Sequence, residues 1–174
     1  MRLKLVTIAI AIAIALSLTT IACSKQGERS YKDSVKTALE QADLKDVDVK
    51  EDTDKNTITL EGKVHSEDAK QQAADVAKAN AGNRLVVNEV SVQPVGLESE
   101  VKGIASNLDD GIEKNYKAAL IAKGLDKDVR FDAKNGVLTL KGKVKTPTQR
   151  KEAELLAQNV PHVQQVLNEI DVKR

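Results

Sequence analysis

The chain has 174 residues, of which 30% are charged, 41% hydrophobic and only 2% aromatic. That composition describes one or two small, lightly packed domains rather than a large single-core enzyme. With no Trp, one Phe and two Tyr, it offers no aromatic platform for stacking bases or sugars, so nucleic acid is not an expected partner. Two His and one Cys exclude an intrachain disulfide and leave too little for a metal or nucleophile constellation; no metal and no cofactor are expected.

The first residues read as an address. Arg2 and Lys4 form a basic start, and Leu5 to Leu18 follow without a charge, broken only by Thr7 and Ser17. This is the pattern of an export signal. Thr19-Thr20-Ile21-Ala22-Cys23-Ser24 then resembles the bacterial lipobox, although Thr20 stands where a large aliphatic is usual. The resemblance implies cleavage after Ala22, acylation of Cys23 and, from Ser24, sorting to the outer membrane. A plain cleaved leader or an uncleaved membrane helix are the alternatives, the second because the apolar stretch approaches the ~20 residues of a span. Residues 1–22 are therefore assigned as a lipoprotein signal peptide and 23–29 as a tether. The six residues after Cys23 reach at most ~20 Å, so the first folded unit stays close to its membrane.

Behind the tether one unit is written twice. Residues 57–92 align without a gap against 137–172 at an offset of 80, with 11 of 36 positions identical. In the first copy, Tyr31, Val35, Ala38, Leu39 and Ala42 recur at helical spacing behind Ser30, with Asp33 as a weak capping partner. Alternation at Val47/Val49 and at Ile58/Leu60/Val64 predicts a hairpin turning at Asp52 to Asn56. Ser66 caps a second helix that faces inward through Ala69, Ala73, Val76 and Ala77. Val86, Asn88, Val90 and Val92 give a third strand. In the second copy Thr146-Pro147-Thr148-Gln149 supplies an N-cap, a proline at N1 and a Gln at N3. The predicted fold is α+β: two tandem small αββαβ domains, each a three-stranded sheet covered on one face by two helices, with the other face in water.

Ile58-Thr59-Leu60-Glu61-Gly62-Lys63-Val64 with Val86-Val87-Asn88-Glu89-Val90-Ser91-Val92, and their counterparts Val137 to Val144 and Val163 to Val172, resemble the BON domain family of osmotic-shock and nodulation proteins. The second copy is the closer match, since Asn83 stands where Val163 sits and where the family favours Val. The resemblance covers residues 30–94 and 110–174, with 95–109 as a connecting linker. It implies a non-enzymatic protein on the periplasmic side of the bacterial envelope, attachment to phospholipid and a role in envelope integrity or osmotic tolerance.

The copies differ in charge. Residues 30–94 hold 9 basic against 13 acidic side chains, a net of −4, while residues 110–174 hold 13 against 9, a net of +4. Strand alternation sends Lys141, Lys143 and Lys145 outward, and Arg130 on the neighbouring strand joins them. Arg150 and Lys151 open the next helix. These six are the candidate contacts to an anionic phospholipid surface or an acidic partner. The alternatives are a merely solvated basic face and a scaffold that grips other envelope proteins. Repeated outward pairs, Lys63 with Glu89 and Lys143 with Glu169, are predicted to bridge neighbouring strands. Gly62 and Gly142 have core parity and read as sites of close helix approach or a bulge. Asn88 and Asn168 read as hydrogen-bonded locks. In the linker, Leu97, Val101, Ile104 and Leu108 continue the stripe of Ile112, Tyr116 and Leu120, which predicts a helix that docks the copies together. Paired carboxylates occur only in charge-rich turns such as Glu51-Asp52, which offers little for catalysis.

Overall fold

The computed structural model describes residues 30–173; the leader, Cys23 and the tether lie outside the described residues. The first module runs α1 (Lys32–Gln41), β1 (Val47–Asp52), β2 (Thr57–Val64), α2 (Glu67–Asn80), β3 (Leu85–Asn88) and β4 (Ser91–Val92). The second runs α3 (Glu98–Lys123), β5 (Val129–Lys134), β6 (Val137–Val144), α4 (Pro147–Gln158) and β7 (Gln165–Val172). Each hairpin is antiparallel, and a crossover helix returns the last strand parallel to the middle one. In the first module that strand is in two pieces, β3 and β4, interrupted at Glu89 and Val90. In the second it is continuous.

Alternation does what the pattern predicts on the inner face. Val47, Val49, Ile58, Leu60 and Val64 pack with Val35, Leu39, Ala73 and Ala77 in one core, and Val129, Leu138, Leu140 and Val144 with Ile112, Tyr116, Leu120, Ala153 and Ala157 in the other. The Tyr116 hydroxyl donates to the Ala153 carbonyl at 3.1 Å, and its ring meets Phe131 edge-on at 5.0 Å. That hydroxyl is the polar tip that a fully buried tyrosine has to satisfy; burial pushes its pKa up. The α4 start is capped as the sequence dictates: Thr146 Oγ1 accepts from Gln149 N, and Gln149 Oε1 accepts from Lys145 N.

The first helix starts differently. Ser30 does not cap it; its hydroxyl donates to Glu51, whose carboxylate also accepts from the backbone N–H groups of Tyr31 and Lys32. Glu51 is thus the anion at the N-terminus of α1. It also pairs with Arg84 at 2.7 Å, both side chains at most 6% exposed, and Arg84 lies over the Tyr31 ring. Glu51 is not a solvated turn carboxylate. A long-range partner 33 residues away took it inside, which local charge density could not reveal.

Gly62 and Gly142 have φ of +112° and +130°. Their close neighbour is a backbone carbonyl and not a helix. A β-carbon would meet Asp46 O at 2.1 Å or Asp128 O at 2.2 Å, and each oxygen also accepts from the following residue, Lys63 N or Lys143 N.

The linker helix is real and merges with the first helix of the second module, giving α3 its 26 residues, ~39 Å at helical rise. It is not the main dock. Leu97, Ile104 and Leu108 are exposed, whereas Asp109 accepts from Asn135 N and Gly136 N and so holds the hairpin of its own module.

The modules join through their sheets. Val87, Val137 and Leu167, all on outer faces, form a third apolar cluster, with Thr57 and Thr139 buried beside them. The expectation that both outer faces meet water is therefore corrected: part of each is covered by the other. Three buried aliphatics contribute roughly 5 kcal/mol together. Alternation could not anticipate this, because Val87 and Leu167 have the parity of solvent-facing residues.

Candidate functional site

The junction and the candidate patch are two halves of one outer surface. Where the sheets meet, cations of one module reach carboxylates of the other: Lys134 Nζ lies 2.8 Å from both Glu61 and Glu89, and Lys55 Nζ lies 2.9 Å from Glu169. The predicted bridges within each module are overturned. Lys63 faces Ser91 and Lys143 faces Asp171 in the parallel ladders, while Glu169 stands opposite Lys141. The repeated glutamates serve the contact between copies, because the parallel register is shifted by two residues from the one a Lys–Glu bridge needs. Lys70 on α2 adds hydrogen bonds to Asn135 O and Gln164 Oε1.

Beyond the overlap, the outer face of the second sheet is open. Arg130 stands directly opposite Lys141, and Lys143 and Lys145 continue along β6 and just past its end; all four are exposed. The first module holds the mirror image in charge, Asp48 opposite Glu61. There Glu61 is compensated: Lys134, then Lys50 at 2.5 Å, hold its carboxyl below the usual range. The Arg130–Lys141 pair has no carboxylate at ion-pair distance among the described residues. Like charges set opposite one another repel.

Lys151 does not join this patch, and Arg150 meets it only at Lys143, across the groove beside β7. Both sit on α4, in the layer behind the sheet; Arg150 donates to Asn168 O at 3.4 Å and Lys151 pairs with Glu154 at 3.5 Å. A helix turn separates residues that neighbouring sequence numbers had grouped with the strand. Asn88 and Asn168 are half-buried ties between last strand and helix. Each Oδ1 accepts the backbone N–H two residues on, and each Nδ2 donates, to Lys70 O or to Glu154 Oε2. The sequence-based site lacked Lys55, Lys134 and Gln165, which act across the junction. Their only signal was position at a hairpin turn or at the start of a strand.

Two tandem αββαβ units joined at an outer-face junction define a duplicated α+β module. Residues 29–94 and 108–174 each match the BON domain, so the chain belongs to the BON domain family. It is 32% identical over 142 residues to osmotically-inducible protein Y of Escherichia coli (strain K12), a match covering 80% of this chain and 69% of that protein. Among solved structures it is similar to CdsD, a structural protein of the type III secretion system of Chlamydia trachomatis, at 14% identity and a TM-score of 0.35. That match covers 82% of this chain and 61% of the CdsD chain, so this chain spans less than two thirds of it. A second structure, the C-terminal domain of CdsD, matches at the same identity and score over 67% of its length. Among the described residues no helix is long and apolar enough to cross a membrane.

Proposed function

We propose that this is a non-enzymatic protein of the bacterial envelope, anchored on the periplasmic side through an acylated Cys23, whose second module adheres to anionic phospholipid headgroups through Arg130, Lys141, Lys143 and Lys145. The observation that carries the reading is the Arg130–Lys141 pair: two cations held opposite each other without a carboxylate at ion-pair distance among the described residues, where Glu61 of the equivalent acid pair is matched by Lys50 and by Lys134 of the second module. An external anion relieves that repulsion. A basic side chain at an anionic membrane contributes about 1 kcal/mol, so four give a few kcal/mol. That is weak for a free protein and sufficient to orient one already held at the surface by its acyl chains. The relative induced osmotically supports a role in envelope integrity under osmotic stress.

Flotation of the chain lacking its first 23 residues with phosphatidylglycerol-containing vesicles tests this. Binding is expected at low salt and lost as salt rises. Changing Arg130, Lys141 and Lys145 to Glu should weaken it at least a hundredfold, since loss of three cations at about 1 kcal/mol each already exceeds two decades and the reversed charges add repulsion. Lys143, which also lines the groove beside β7, is left in place. Equal flotation of the triple variant, or none of the parent, would favour a scaffold that grips other envelope proteins.

A further inference from the structure

We infer that the free edge of β7 is a docking site for an extended polypeptide segment, taken up as a fourth strand of the second sheet.

β7 is the last strand of the order β5-β6-β7 and eight residues long. Its odd residues point their backbone groups at β6, as Gln165 N to Gly136 O and Lys173 N to Val144 O show. Val166, Asn168, Ile170 and Val172 therefore direct their N–H and C=O groups outward. Only two of these eight groups have partners among the described residues: Ile170 N donates to Asn168 Oδ1, and Asn168 O accepts from Arg150. A row of backbone donors and acceptors at this spacing is matched by another strand.

The first module shows how such an edge is satisfied. On β3 the equivalent groups meet the Gln165 side chain, whose Oε1 accepts from Asn88 N at 3.3 Å and whose Nε2 donates to Val86 O at 2.9 Å. One side-chain amide stands in for a peptide unit and closes that edge from across the junction. The residue equivalent to Gln165 in the first module is Leu85. It has no amide and lies about half exposed in the groove beside β7. The duplication thus closes one edge and leaves its twin open.

The edge borders a groove. It holds about 1230 Å³ of open space between α4, the β7 edge and the first module's Lys55, Thr57 and Leu85, which form its far wall. On the α4 side Val166, Ile170 and Val172 favour apolar residues; on the other side Thr57, Lys55 and Glu169 favour polar ones. The occupant is a polypeptide segment of alternating apolar and polar residues.

The probe is a fluorescein-labelled peptide, Lys-Thr-Val-Thr-Val-Thr-Val-Lys, titrated by anisotropy with the full chain. Saturable binding is expected. N-methylation of one alternate set of its amides should weaken it at least tenfold and methylation of the other set should leave it unchanged, a parity dependence that general stickiness does not produce. Val172→Pro removes one outward N–H without touching the ladder to β6 and should weaken binding at least threefold with the thermal midpoint kept within a few degrees. Three results overturn the inference: no binding at millimolar peptide, binding indifferent to both methylation sets, or self-association abolished by Val172→Pro with no peptide uptake, the occupant then being a second copy. None of these depends on vesicle binding, whose test changes Arg130, Lys141 and Lys145, none of which lines the groove.

Discussion

Gly142→Ala is expected to destabilise the second module by about 3 to 5 kcal/mol, combining the strain of a side chain at strongly positive φ with an overlap against backbone. The added carbon would lie 2.2 Å from Asp128 O. That oxygen cannot simply retreat, because it accepts the hydrogen bond from Lys143 N, and Asp128 N is itself tied to Leu125 O. Relief requires opening the end of the β5–β6 hairpin. Gly62→Ala should do the same to the first module, where Asp46 O stands at 2.1 Å. Gly103→Ala is the control: this glycine lies in α3 with nothing within 4 Å of its added carbon. There the same chemical change should stabilise the helix by up to about 1 kcal/mol. Urea midpoints of the three variants decide the matter; a small loss for Gly142→Ala would show that the carbonyl contact yields easily.

The second large effect is expected at Glu51. Glu51→Ala removes the carboxylate 2.7 Å from the buried Arg84 guanidinium, a neighbour of Asn56 and the Tyr31 ring, and uncaps α1, a loss of about 3 to 5 kcal/mol by analogy with broken buried pairs. Amide exchange should show the loss in the first module and leave the second protected. The pH dependence has a definite sign. Burial alone pushes the Glu51 carboxyl up, but hydrogen bonds from Ser30, Tyr31 and Lys32, together with Arg84, outweigh it and hold the group below its ordinary 4.5. A lowered acid contributes its full stability above the unfolded value and loses it as pH falls through the lower folded value. The stability gap between the parent and Glu51→Gln should therefore be constant at neutral pH and narrow below about pH 4.5. A gap independent of pH down to acid unfolding would contradict this assignment.

The duplication itself explains how far each kind of reasoning reaches. Periodicity and capping residues are local, so the helix after Thr146, the hairpins, the core positions from Val35 to Leu140 and the outward aim of Lys141 and Lys143 were all legible along the chain. Glu51 was misread because its partner is Arg84, on the far side of a helix and two turns. The Lys–Glu bridges were misread because strand alternation fixes which face a residue takes but says nothing of register in a parallel pair. Arg150 and Lys151 were grouped with the patch by proximity in number, yet they lie on α4, in the layer behind the sheet that carries it.

What the chain order alone determined is the content of each module: the two αββαβ units, their separate cores and their opposite charge, all set by patterns spanning a few residues. Only the tertiary structure decided that the modules lie sheet against sheet. That contact buries Val87, Val137 and Leu167, spends Lys55 and Lys134 on Glu169, Glu61 and Glu89, and closes one strand edge with Gln165. The consequence is that Arg130 and Lys141 stay uncompensated and the edge of β7 stays open, because contacts between copies depend on surfaces that no repeat period encodes.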